Sequence, residues 1–229
     1  MGERDFDTGQ RVPVVGIGPG SDDYLTVGGR RVLRTADVVV GFTTVLDCVD
    51  EHVGERLDCS YDDQTERLAE FGERVRDGES GVAVAMGDPN CSGGQFVDRV
   101  RAAVGEVRVC PGVSSTQVAA ARAGVAYDEA AIESLHKRGD CAAERERLRA
   151  ALPERALIVL PLPWQTMPED IARDLLASHP EAGDRRAVVC ESVTLPGETL
   201  TRTTLAELAD GADGESAFSD LSVLVVQPP

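Results

Sequence analysis

Two apolar runs that stop in the same fashion limit the fold most strongly. Gly81-Val-Ala-Val-Ala-Met86 has the length and branched, apolar character of a buried strand, and Gly87-Asp-Pro89 closes it. Glu106-Val-Arg-Val-Cys110 is closed by Pro111-Gly112, with Ser114-Ser115 and an alanine-rich stretch of helical character behind it. Strands that break into tight loops ahead of helices are how an α/β sheet makes a ligand crevice at its carboxyl edge. The chemistry is therefore expected at these two loops.

The flanking pattern supports an α/β fold. A strand is expected over 12–17, ending in Gly18-Pro-Gly20, and a helix capped by Thr26 runs to about Ala36. A buried strand over 37–41, a helical stretch over 44–51 and a short strand near Leu57 follow. An acidic helix over 63–77 places Leu68, Phe71 and Val75 on one face, and another helix follows over 95–103. Strands alternating with helices imply parallel βαβ units. After Pro111 the pattern changes: helices over 115–123, 142–152, 168–177 and 205–209, with strands over 129–135, 156–160, 186–191 and 221–226. A hairpin or turn is expected around Pro196-Gly197. A chain of 229 residues suits two lobes of about 100 residues each. The boundary is expected near 111–114, giving lobes 1–113 and 114–229.

The charge narrows the function classes. Forty acidic residues against 23 basic ones leave a net charge of −17, and Lys137 is the only lysine. Such a surface keeps a protein hydrated in concentrated salt, where the Debye length falls to about 3 Å at 1 M and carboxylate repulsion is screened. A salt-loving host is the expectation, and a nucleic-acid partner is disfavoured. No apolar stretch approaches the roughly 20 residues of a membrane span. Residues 1–11 are polar and acidic, unlike a signal or transit peptide, so a soluble cytoplasmic protein is expected. The six cysteines lack C-x-x-C spacing and read as small buried hydrophobes, not as a metal site or a disulfide framework.

Several motifs carry chemical readings beside plain ones. Gly16-Ile-Gly-Pro-Gly20 is not a dinucleotide loop, because Ser21 occupies the third glycine position and Pro19 lacks the N–H a phosphate cradle needs. It is either a tight strand-to-helix turn or the lining of a cleft for a bulky substrate. Gly87-Asp-Pro89 is either a turn or a site where Asp88 accepts from a ribose hydroxyl or an amine. Ser114 or Ser115 caps its helix, and Ala119-Ala-Ala121 also suits a nucleoside packed on the helix start. His52 and His179 stand among acidic residues and read as surface histidines. His136, in Ser134-Leu-His-Lys-Arg138, adjoins the sole lysine and an arginine, a pairing that suits an anionic ligand. Arg30, Arg31 and Arg34 read as a solvated helix face.

Together these motifs resemble the tetrapyrrole methylase family. The residues that carry the match are Val15-Gly-Ile-Gly-Pro-Gly20 with Tyr24-Leu-Thr26, Ala36-Asp-Val-Val-Val-Gly41, Gly87-Asp-Pro89 and Pro111-Gly-Val-Ser-Ser115. Ser134-Leu-His136 with Arg138, and Cys190-Glu-Ser192, are most similar to the CbiE-type cobalt-precorrin C5-methyltransferase branch. Lys137 stands where that branch usually has glycine, and Pro161-Leu-Pro163 replaces the Tyr-Met-Gly of many relatives.

The resemblance implies two α/β lobes with S-adenosylmethionine in the cleft between them. It implies a homodimer that methylates a cobalt-corrin precursor; whether a separate C15-methylating, decarboxylating enzyme docks on it stays open at this point. Cofactor contacts would fall at Pro19, Met86, Gly87, Asp88, Ser114 and Ser115, and near Pro161 and Val193. Gly16, Gly18 and Gly20 would border the tetrapyrrole. Lys137 and Arg138 would receive its carboxylates, and His136 would orient it or handle a proton at C5. No catalytic metal is expected. The alternatives are a methylase of another corrin position or of diphthamide, and a non-catalytic tetrapyrrole-binding or scaffolding subunit.

Overall fold

The structure is a computed structural model that describes residues 11–137, 139–211 and 215–229. The chain divides into two compact units, Met1–Val113 and Ser114–Pro229.

The first unit is built on five parallel strands: β1 (Val12–Gly16), β2 (Val38–Phe42), β3 (Glu55–Cys59), β4 (Gly81–Ala85) and β5 (Val107–Cys110), in the order β3-β2-β4-β1-β5. The connecting helices are α1 (Val27–Leu33), α2 (Thr43–Leu46), α3 (Gln64–Arg76) and α4 (Gly94–Val104). Valine-rich strands suit this sheet because both of its faces are covered. Val14, Val40 and Ala83 point to Leu68 and Phe71 of α3 and Val97 and Val100 of α4. Val15, Val39 and Val84 point the other way, to Leu33 of α1 and Leu46 of α2. Phe71 is fully buried, and truncating it to alanine would cost about 3–5 kcal/mol. Thr26 caps α1 as expected, its Oγ1 accepting the Gly29 N–H at 3.0 Å. The stretch expected to be helical over 44–51 is α2 followed by a 3₁₀ turn, Asp47–His52.

One feature of the strand order positions the site. β1 and β4 are neighbours, yet the chain leaves β1 toward β2 and leaves β4 toward β5. Their following helices therefore lie on opposite faces of the sheet. Open α/β sheets bind ligands at such a switch point.

The second unit has α5 (Ser115–Ala123), β6 (Ala131–Ser134), α6 (Ala142–Ala151), β7 (Leu157–Leu160), α7 (Pro168–Ser178), β8 (Arg186–Glu191), β9 (Thr199–Thr204), α8 (Leu205–Asp210) and β10 (Ser222–Val226). Its sheet order is β6-β7-β10-β8-β9. β6 and β7 are parallel, while β10 runs antiparallel to both β7 and β8, so β6, β7 and β8 share one direction. Helices α6, α7 and α8 cover one face through Leu148, Leu175 and Leu208. Helix α5 lies on the other, against β7, β8 and β10, where Ala119 and Ala120 permit close approach. The turn expected around Pro196-Gly197 joins β8 to β9 as a hairpin. The strand expected over 129–135 begins later, because Tyr127–Glu129 forms a 3₁₀ turn. Among the described residues no helix is long and apolar enough to cross a membrane.

Candidate functional site

At the carboxyl edge of the first sheet, three loops meet with their backbones nearly in contact. The Gly18 N–H donates to the Gly87 carbonyl at 3.3 Å, and the Gly87 N–H donates to the Gly18 carbonyl at 2.7 Å. A Cβ added to Gly16 would sit 2.5 Å from the Gly87 oxygen and 2.7 Å from the Gly112 nitrogen. One added to Gly112 would sit 2.6 Å from the Gly16 oxygen. Gly18 and Gly87 also have left-handed backbones, at φ 85° and 67°. The glycines after β1, β4 and β5 thus form a seam of backbone against backbone. Because Gly18 and Gly87 bond to each other, their N–H groups are not aimed at a phosphate.

Pro19 is buried behind this seam, while Gly20, Met86 and Asp88 are half-buried. Asp88 Oδ1 accepts the Asn90 N–H and an Asn90 side-chain N–H, both at 3.0 Å. Oδ2 accepts no hydrogen bond among the described residues, which leaves an oriented carboxylate oxygen for a ligand hydroxyl. The seam and this oxygen fit an adenosyl group, which needs close backbone approach and a ribose acceptor.

Beyond β5, Ser114 caps α5. Its hydroxyl accepts the Thr116 N–H at 3.2 Å and lies 2.8 Å from Thr116 Oγ1, which is 3.1 Å from the Tyr127 hydroxyl. Gln117 Oε1 accepts the Ser114 N–H at 2.8 Å and completes a capping box. The Ser114 side chain is thus engaged in the helix start, and Ser115 is half-buried beside it.

The loops after β6, β7 and β8 stand together at the carboxyl edge of the second sheet. They hold all three non-glycine residues with positive φ among those described: Trp164 at 62°, Ser192 at 48° and Thr194 at 71°. Such backbones cost about 1–3 kcal/mol each and persist where the surroundings over-determine them. Pro161 is buried at the end of β7, and Val193 is buried between two of the strained residues. The Thr194 N–H donates to Glu198 Oε2 at 2.7 Å, and Glu198 pairs with Arg122 of α5 at 2.6 Å. Arg122 first, and then the Thr194 N–H, hold the Glu198 carboxyl below its ordinary pKa.

His136 follows β6 on this edge. Desolvation lowers its pKa, and the Asp220 charge opposes that only in part, so the imidazole is neutral at pH 7. Lys137 does not stand open to an anion. Its Nζ is 3.0 Å from Glu144 Oε1, which Arg147 also meets at 2.7 Å. Arg147 first and Lys137 next hold Glu144 down to a pKa of about 2. Arg138 lies outside the described residues.

Two histidines depart from the expectation of surface residues. The His52 side chain is only 7% exposed, with Nε2 2.5 Å from Asp22 Oδ1. His179 is half-buried, its Nε2 donating to the Arg149 carbonyl at 3.0 Å. Acidic neighbours in sequence conceal this burial, because each ring packs against a residue 30 positions away. Cys59, Cys141 and Cys190 are buried, whereas Cys48, Cys91 and Cys110 are half-buried; none of the six forms a disulfide. Burial pushes Cys59 and Cys190 up to about 11, which keeps both thiols protonated at pH 7. Sequence reasoning passed over Trp164 and Thr194 and reached Ser192 only as part of Cys190-Glu-Ser192, because no glycine marks their left-handed backbones.

Residues 11–209 match the tetrapyrrole (corrin/porphyrin) methylase family. The chain is 25% identical over 219 residues to the probable cobalt-precorrin-7 C(5)-methyltransferase of Methanocaldococcus jannaschii, covering 93% of this chain and 96% of that protein. Its fold matches the precorrin-6Y methylase of Archaeoglobus fulgidus with a TM-score of 0.70, at 24% identity over 96% of this chain and 100% of that one. A uroporphyrin-III C-methyltransferase from Thermus thermophilus, in complex with S-adenyl homocysteine, matches with a TM-score of 0.71 at 24% identity, covering 95% and 92% of the two chains. The two structural likenesses bear on the fold, and the family match covers most of the chain. With the glycine seam and the Asp88 acceptor in place, the chain belongs to the tetrapyrrole methylases and is an S-adenosylmethionine-dependent methyltransferase.

Proposed function

We propose that this enzyme methylates C5 of a cobalt-corrin precursor, cobalt-precorrin-7, in the formation of cobalamin. The observation that carries the reading is the end-to-end similarity to the Methanocaldococcus jannaschii protein of that name. Ser134-Leu-His136, at the end of β6, agrees with it.

In this reading Pro19, Met86, Gly87, Asp88, Ser114 and Ser115 hold S-adenosylmethionine, with Pro161 and Val193 as further contacts. When bound, that cofactor supplies an electrophilic methyl group on a sulfonium. Asp88 Oδ2 accepts from the ribose, and Ser114 packs against the cofactor from the capped start of α5. Gly16, Gly18 and Gly20 offer the macrocycle a wall without side chains. A meso carbon made electron-rich by conjugated nitrogens needs little activation by a strong base. Alignment in a dry site could then supply up to about 7–11 kcal/mol of the acceleration. His136, neutral at pH 7, takes the proton released at C5 or orients the ring. Arg138 receives a peripheral carboxylate, and Lys137 does so by leaving Glu144. The reading includes a homodimer and a C15-methylating, decarboxylating enzyme as the neighbouring activity.

The test is single-turnover methylation of cobalt-precorrin-7, with the product located by mass spectrometry and NMR. Methylation at C5 is expected, and the His136→Ala variant should be slower by about 100-fold or more. A methyl group at any other carbon overturns the C5 assignment, and an unchanged rate in the variant removes His136 from the mechanism.

A further inference from the structure

The loops after β6 and β7, with α6, border an open pocket of about 450 Å³ within the second unit. That size lies in the range of small-ligand sites, about 300–1,000 Å³. Its two cations, Arg145 and Arg149, both come from α6. They differ in what already holds them. Arg149 is paired with Asp174 at 2.6 Å and with Glu146 at 3.0 Å. Arg145 donates one N–H to Thr166 Oγ1 at 2.9 Å and meets no carboxylate among the described residues. Asp140, the one acid of the lining, uses Oδ1 to accept the Ala142 N–H at 2.8 Å. Arg145 therefore keeps most of its planar fork available on the wall of a cavity, in a chain of net charge −17.

The loop that orients Arg145 also presents an exposed aromatic. Thr166 is 6% exposed and is braced across the loop, with Leu162 N–H to Thr166 O at 3.1 Å and Thr166 N–H to Leu162 O at 2.9 Å. At the tip, Trp164 is 74% exposed in a left-handed backbone, one residue from Gln165 of the cavity lining. A bulky aromatic held in that conformation and turned to solvent contributes nothing to the core.

We propose that Arg145 and Trp164 form a specificity subsite for one peripheral carboxylate of the tetrapyrrole substrate. The open guanidinium receives the carboxylate, and the indole lies against the apolar edge of the macrocycle. This rests on the tetrapyrrole methyltransferase reading above. The subsite selects acid over amide or ester, because a neutral side chain leaves Arg145 facing the cavity without a charge partner.

Trp164 is the only tryptophan, so fluorescence excited beyond the tyrosine absorption band reports on this loop alone. The probes are cobyrinic acid and its heptamethyl ester, titrated into the full chain with free N-acetyltryptophanamide as the absorbance control. Saturable quenching by the acid is expected. Arg145→Gln should weaken acid binding about tenfold and leave ester binding and S-adenosylmethionine affinity unchanged. In turnover, the same variant should raise KM for the corrin substrate with kcat within about twofold. Equal acid affinity in the wild type and Arg145→Gln overturns the subsite, as does equal loss of acid and ester binding. Wild-type methylation of the corrin substrate without saturable quenching also overturns it, while the function stands. Arg145-dependent quenching in an enzyme that methylates no corrin keeps the subsite and overturns the functional reading.

Discussion

The two sheet edges solve the same problem by opposite means. In the first unit the loops after β1, β4 and β5 approach so closely that only glycine fits, and Gly18 and Gly87 bond to each other. In the second unit the loops after β7 and β8 carry Trp164, Ser192 and Thr194 in a conformation their side chains disfavour, and Glu198 braces one of them. The first edge owes its shape to missing atoms, and the second to strain held by particular bonds. A site made by omission tolerates no added carbon. One made by bracing tolerates substitution at its tip but weakens when a brace is cut.

The sharpest way to break this contrast is Gly16→Ala. The new Cβ would meet backbone atoms that cannot rotate away, so the expected cost is about 3 kcal/mol or more in urea unfolding, with S-adenosylmethionine binding lost by calorimetry. A Gly16→Ala enzyme of unaltered stability would refute the seam.

Glu198→Gln tests the bracing. The Glu198 pKa lies below its ordinary value in the folded state, so its ionised form adds stability above about pH 4.3, the ordinary glutamate pKa. That contribution fades as pH falls through the lower folded value. The variant should lose about 1–2 kcal/mol at pH 7, and its deficit should shrink on acidification below about pH 4. A deficit independent of pH would point to packing instead.

Gly28→Ala supplies the control for glycine itself. Gly28 lies within α1 with nothing near its absent Cβ, so alanine there should stabilise by about 0.5–1 kcal/mol. The smallest effect belongs to Trp164→Gly. Release of the left-handed penalty is largely offset by the greater freedom of glycine in the unfolded chain, leaving a gain of about 0.5 kcal/mol in thermal unfolding. A loss of stability would mean that Trp164 is packed, not strained.

The contrast also marks what sequence alone could convey. The parallel sheet of the first unit was legible because valine runs end in glycine, and the loops of interest followed from Gly87-Asp-Pro89 and Pro111-Gly112. In the second unit, β9 was visible only as one arm of a hairpin, since Thr199-Leu-Thr-Arg-Thr-Thr204 is an edge strand with little apolar signal. The pairing of Lys137 with Glu144 was hidden, because the loop after β6 decides which way the ammonium turns. The His52–Asp22 contact is hidden by distance along the chain: 30 residues separate its partners. Local propensity reports elements and turns, whereas ion pairs and strained loops are set by what tertiary packing brings alongside.

The place of β10 bears on how the molecule is made. All five strands of the first sheet have left the ribosome's active centre once Cys110 is joined, so that half can close early in translation. The second sheet has β10 between β7 and β8, and until Ser222–Val226 is synthesised it can exist only as two separate pairs, β6 with β7 and β8 with β9. Through that interval Leu157–Leu160 and Arg186–Glu191 each present an unmated, mostly apolar border, and it is there that nascent chains would be most prone to stick to one another.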